Sequence, residues 1–462
     1  MKRYGIVLLL LGLIVAVSTQ AMAVDVKFSG EYYAAGLYLD KTTLNKDVVL
    51  TNPGPPPVYQ AAGQSTAFYF QRLRLNATFV VSPGLMLITR ADIMKRAWGA
   101  ARSAPGTALD RMSAGTAAEN ENIAFDWMYI DYKSPIGQLR VGYMTDGAWG
   151  TVFMDTSTPK GKIAWSYNAP NWMYTIQVVK MAESSRRAIA PGINAADIDG
   201  DKYCTAFRYN WKNAEAGILI GLGRDAGKKP APDNYKGLYN NFMPYAKAQI
   251  GPVKLQAEAI YFIGKLKDFE DDAAKADVQL SALSAWVDAT ADFGRIYFGG
   301  TVAYVAGDDP GTADKAEGDA LRNNGGRDWN PCLIMWNEER NYWAGALPGH
   351  DNAAQTGPMY NAWFFQGRAG VRPIDKLDIL ASVSYANADK KPWANPLDSS
   401  TAYLYNDYGY EVDLTATYKI TQNLSYMLGA GYLFTGKYFK GASEANAVSN
   451  DYLLINKLTL TF

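Results

Sequence analysis

The sequence predicts an all-β protein: a transmembrane, antiparallel up-and-down β-barrel of about eighteen strands, with short turns on one rim and long loops on the other. Three observations carry that reading. The last residues alternate, with Phe462, Leu460, Leu458 and Leu454 on one face and Thr461, Thr459 and Lys457 on the other, as in a strand with lipid on one side and water on the other. The first residues form an export leader. Between them, period-2 segments are joined by short and long connections in strict alternation.

In the leader, Lys2 and Arg3 precede the apolar run Ile6 to Val17, and Ala21-Met22-Ala23 puts small residues where a signal peptidase reads. Residues 1–23 are therefore expected to be a secretory signal peptide. The apolar run is short for a bilayer helix, which takes about 20 residues. Residues 24–462 are expected to form one domain. The first strand, Val26 to Leu39, starts almost at the mature terminus and leaves no room for a folded plug.

The short connections are Ser82-Pro83-Gly84, 134–137, 168–171, 210–213, Gly251-Pro252, 292–294, 372–375 and 421–423, all built from turn-forming Pro, Gly, Asn and Asp. The long ones fall near 40–66, 97–121, 145–160, 183–200, 225–237, 265–276, 307–358, 388–406 and 436–450. That pattern gives eighteen strands, or sixteen if one hairpin is merged, with both termini on the short-turn side. Soluble sandwiches and propellers lack such an asymmetry of rims.

Composition agrees. The chain has 31 Tyr, 12 Trp and 42 Gly without a long apolar run, which suits strands that show lipid only alternate residues. Its 45 basic and 45 acidic residues give no hint of nucleic acid as a partner. The single His350 and two Cys leave little for a catalytic triad or a metal centre, so neither an enzyme nor a cofactor is expected. Asp197, Asp199 and Asp201 resemble the start of a calcium loop, but Lys202 stands where the turn glycine belongs, and a solvated turn is the simpler reading.

Phase along the strands shows what faces the lumen. Arg72 and Arg74 share a phase, as do Arg90, Asp92 and Arg96 on the next strand, and Arg140 follows on the fifth; together they are expected to form a basic ladder. Lys254 and Glu258, then Arg368, then Glu411 and Asp413 would line the opposite wall, giving the transverse field that sorts solutes in channels. A generic polar lining would look the same. Trp127, Tyr129, Trp165, Trp172, Trp211, Trp286 and Trp363 are read as an interfacial girdle. The connection 307–358 contains apolar Pro331-Cys-Leu-Ile-Met-Trp336, which is expected to fold into the barrel mouth or pack on another subunit. An oxidising compartment and an even Cys count predict a Cys204–Cys332 disulfide tying that loop to the wall.

Leader, strand count, missing plug and terminal Phe462 together resemble the outer-membrane porins of Gram-negative bacteria. Phe70-Gln-Arg-Leu-Arg-Leu75, and Trp149-Gly150 after the strand Leu139 to Met144, look like porins and alginate-export-type channels of proteobacteria. The resemblance implies an outer-membrane location, lipid around the barrel, a homotrimer, and Phe462 as the signal read by the barrel-assembly machinery. In trimeric porins the third loop forms the constriction; here the seventh is the long one, so pore-lining positions are not carried over. The function implied is passive diffusion of small hydrophilic solutes or ions. Two rivals stand beside it: a channel for an anionic substrate such as an acidic polysaccharide, and a non-conducting scaffold or surface receptor.

Overall fold

A computed structural model describes residues 24–462 apart from 47–48, 53–57, 61–62, 101–122, 185–197, 230–232, 271–274 and 319–323. The expected leader, residues 1–23, and Asp197 lie outside the described residues. Eighteen strands build the wall. They are β1 (Asp25–Leu39), β2 (Thr66–Ser82), β3 (Leu85–Ala97), β4 (Ile123–Ser134), β5 (Gly137–Asp146) and β6 (Thr158–Asn168). There follow β7 (Trp172–Ala182), β8 (Gly200–Asn210), β9 (Ala214–Asp225), β10 (Tyr235–Ile250), β11 (Val253–Phe269) and β12 (Val278–Asp292). The last six are β13 (Ile296–Val305), β14 (Ala362–Ile374), β15 (Leu377–Ala388), β16 (Asp407–Lys419), β17 (Leu424–Thr435) and β18 (Asp451–Thr461).

Each strand pairs antiparallel with its sequence neighbours, and β18 pairs back onto β1 from Leu453↔Leu39 to Thr461↔Glu31. Closure leaves no open edge, so every backbone group of the wall finds a partner without water. Strands of 10 to 17 residues are long enough, when tilted, to cross the apolar layer of a bilayer. The eight expected short turns all fall between paired strands, and both ends of the described barrel, Asp25 and Thr461, lie on that rim.

Alternation sorts the two faces. Outside, Leu454, Leu458, Leu460 and Phe462 are exposed, as are Ile218, Ile220 and Leu222 of β9 and Val412 and Leu414 of β16. Such an outside is stable in lipid and not in water. Aromatic rings gather at its rims. Trp165, Tyr167, Trp172 and Phe207 stack in sequence near the short turns, with centroids 5.4–6.5 Å apart. Near the long loops Tyr304 packs on Trp363 at 4.3 Å. Trp127, Tyr129 and Trp286, expected in this girdle, point into the barrel instead.

Inside, two loops fill one side. From the connection 306–361, Cys332, Ile334, Met335 and Trp336 are buried against Leu280, Val305, Phe364 and Leu433 of the wall. A short helix, α1 (Glu338–Ala344), follows. Asn337 caps it by accepting from Arg340 N at 2.8 Å, and Gly345, at φ 82°, ends it. The side chain of Arg340, 2% exposed, donates to the carbonyls of Ile334, Gly345 and Gln355 and so fixes the fold of its own loop. The apolar segment thus enters the mouth, one of the two placements that its composition allowed.

Candidate functional site

The third loop, 147–157, also enters the lumen, a placement that the sequence reading leaves open. Thr151 donates through both its backbone N (2.9 Å) and its hydroxyl to Glu258 Oε2 of β11. Trp149 Nε1 donates to Met243 O at 3.0 Å, and its ring meets Tyr245 edge-on at 5.3 Å. Phe153 lies parallel to Trp286 at 5.9 Å. The loop joins the seventh through Gly326 N to Phe153 O (2.6 Å) and Asp328 N to Asp155 O (2.9 Å). Gly150, at φ 77°, has no room for more: a Cβ there would stand 3.0 Å from Glu258 Oε1 and from the Tyr245 ring.

Two cavities open beside these loops, lined by strands β1–β10 and by Lys457 of β18. An outer cavity of about 560 Å³ lies between β1–β4 and the seventh loop. Here each arginine has an acid. Arg74 makes a two-pronged pair with Asp92 (2.7 and 2.9 Å), Arg72 meets Glu31 at 3.0 Å, and Arg90 meets Asp126 at 2.9 Å. Lys457 reaches Glu339 at 3.1 Å, and Lys95 sits 3.6 Å over the ring of Tyr342 on α1. The expected ladder is therefore largely neutralised on its own wall.

An inner cavity of about 330 Å³ runs along β4–β10 beneath the third loop. It is lined by five cations, Arg140, Lys162, Lys202, Arg208 and Lys247, against two carboxylates, Asp146 and Glu215. Lys162 and Lys202 share Asp146, while Arg208 and Lys247 approach Glu215 only to 3.8 Å each. Arg140 finds only Ser166 Oγ, at 3.5 Å. Three buried N–H donors on this lining have no acceptor: Trp127 Nε1, Arg140 Nε and Arg208 Nε. A buried donor left without a partner is costly, and a cavity with several is complementary to an acceptor-rich, negative guest.

Arg90 marks the border. It lines the outer cavity, Trp127 lines the inner one, and the Arg90 guanidinium stands 3.6 Å over the Trp127 ring. A bulge makes this meeting: Arg90 pairs with Trp127 but Ala91 with Phe125, so Asp126 is the extra residue and both it and Trp127 reach Arg90.

The remaining candidates are distributed as follows. Glu258 anchors the third loop. Arg368 pairs with Asp288 at 2.7 Å on the far wall. Glu411 and Asp413 lie beneath the seventh loop, and no open lumen separates them from the basic wall. Lys254 is exposed near the short-turn rim. Arg96 is a correction: the register shifts between Gln71 and Leu73, so Arg96 opposes Gln71 in the outward row, donates to Ala100 O at 2.9 Å, and Lys95 takes the inward place. The disulfide is a second correction. Both cysteines are free and buried. Cys332 packs by Ser384 of β15, and Cys204 sits on β8 beside Ala206 and Leu219, across the barrel. Of the acidic turn, Asp199 and Asp201 both hold Lys180 Nζ, at 2.7 and 3.1 Å. Phase along the eighth strand already puts Lys202 and Arg208, with Cys204, toward the lumen; Lys95, Lys162 and Lys247 were missed as lining residues. The phase of β6 would have found Lys162.

No protein-family model and no curated relative matches the chain. Solved structures do. A double variant of the channel OccD1 (OprD) superposes with a TM-score of 0.50 at 9% identity, covering 96% of this chain and 98% of the other. OccK2 (OpdF) of Pseudomonas aeruginosa gives 0.49 at 11% identity, with 95% and 98% covered. The outer membrane channel DcaP of Acinetobacter baumannii gives 0.44 at 9%, with 96% and 99% covered. At these identities the likeness is one of fold: this chain is built as a closed, antiparallel β-barrel like those channels.

Proposed function

We propose that this barrel is an outer-membrane porin through which small hydrophilic solutes diffuse passively, with a preference for small anions. The observation that supports it is the inner cavity: five cations against two carboxylates, in a confined space where charge is weakly screened. Its volume of about 330 Å³ fits a small organic acid better than a folded stretch of polysaccharide. On this reading the protein resides in the Gram-negative outer membrane, is folded there by the assembly machinery, and assembles as a homo-oligomer.

Planar-bilayer recording tests the proposal. Purified protein in a salt gradient should give discrete conductance steps and a reversal potential on the anion side. Absence of any conductance would favour the scaffold or receptor, and a cation-side potential would remove the anion preference while leaving the porin.

A further inference from the structure

A second polar cluster lies away from the open lumen, under the seventh loop. Cys332 Sγ, a carboxylate oxygen of Glu411 and one of Asp413 lie within 4.8 Å of one another, and all three residues are buried. Each oxygen of Glu411 accepts one backbone N–H, from Ile334 and from Met335, both at 2.6 Å, which leaves a lone pair on each. Asp413 Oδ2 accepts from Ser382 Oγ at 3.4 Å. Asp413 Oδ1 accepts from no N–H or hydroxyl among the described residues, although Asp413 is only 5% exposed, and its carboxyl lies against that of Glu411. Cys332 Sγ donates to Ser384 Oγ at 3.3 Å.

Two neighbouring buried carboxylates need positive charge. The buried guanidinium of Arg340 does not bond to them; its hydrogen bonds run to three carbonyls. Compensation must come from a proton or from a metal ion. A thiol beside two neighbouring carboxyl groups is the donor set of a borderline-soft divalent ion, and a buried carboxylate oxygen that no N–H or hydroxyl reaches suits such an ion.

We propose that Cys332, Glu411 and Asp413 bind one zinc-type divalent cation, with Ser384 Oγ or a water as the fourth donor. The ligands come from the seventh loop and from β16, so the ion clamps the loop to the wall, the task that the sequence had suggested for a disulfide. Binding releases the thiol proton to solvent, leaving thiolate on the metal. Without the ion, burial pushes the Cys332 thiol well up and keeps it neutral. The inference is independent of what the channel conducts.

The test uses full-length protein purified from membranes in detergent. Elemental analysis after extensive dialysis should find about one zinc per chain. Cys332→Ser and Asp413→Asn should lower affinity by more than the ~10–100-fold that loss of an outer-shell partner costs. Protein folded with Co²⁺ in place of zinc should show the near-ultraviolet thiolate-to-cobalt charge-transfer band. Equal metal in wild type and Cys332→Ser, an adventitious ion only, overturns the proposal. If the variants do not fold, the cobalt spectrum of the wild type decides alone: absence of the band means that the carboxyl pair is held by a proton and no metal site exists.

Discussion

Arg90 stands 3.6 Å over the ring of Trp127 while its Nε donates to Asp126 at 2.9 Å, and this packed pair separates the outer cavity from the inner one. A cation held between a ring and a carboxylate is costly to move, so it can act as a fixed partition. Arg90→Ser should enlarge the passage: single-channel conductance rises and anion preference falls, by roughly twofold in the permeability ratio. An unchanged current would show that solutes cross elsewhere.

Charges in the two cavities should not count equally. Arg74 is cancelled by Asp92, whereas among the described residues no acid comes within ion-pair distance of Arg140. Arg140→Ser and Arg208→Ser should therefore move the reversal potential toward cations more than Arg74→Ser does. Equal shifts from all three would mean that local pairing is irrelevant to selectivity.

The third loop hangs on Thr151 and Glu258. Thr151→Val removes the hydroxyl donor and leaves a buried carboxylate short of a partner, at about 1–3 kcal/mol. Open-channel noise and protease cutting within 147–157 should both increase; a quiet, resistant variant would rule this anchor out.

Asp155 lies in the same loop, and burial, helped by Asp328, pushes its carboxyl up to about 6 although Trp149 N donates to it. In an undocked loop it would titrate near ~4. A raised value means that docking is fully favoured below ~4, weakens as pH rises through about 6, and is constant above. Noise should grow across that window in the wild type and stay flat in Asp155→Asn; parallel curves would disprove the assignment.

Neither cysteine should be in a disulfide, and both should be shielded. Intact mass without reductant should show no loss of two hydrogens, and alkylation should take both Cys204 and Cys332 only after denaturation. Rapid labelling of native protein would contradict their burial.

The strand count and the rims were legible because lipid enforces period 2 and turns carry Pro, Gly, Asn and Asp. The long, apolar Pro331–Trp336 also announced its own burial. Local irregularities were not legible. One extra residue at Asp126 and another shift beside Arg96 change which side chains face inward, and no composition signal marks either. The partners of Arg72, Arg74 and Arg90 lie on neighbouring strands, so their neutralisation depends on register. The third loop was too short to stand out, yet two residues, Trp149 and Thr151, were enough to seat it. Cysteine parity alone said nothing about which wall each thiol occupies.

The filling of one side by the seventh loop makes the pore a half-pipe set off the barrel axis. The two cavities face β1–β10 and Lys457 of β18, while the inner faces of β14–β16 seat the loop. The circumference is thus divided into a sensing arc and a bearing arc. Residues of the bearing arc must match the loop in volume and, at Ser384, Glu411 and Asp413, in polar partners, whereas the wall charges facing the open cavities lie on the sensing arc.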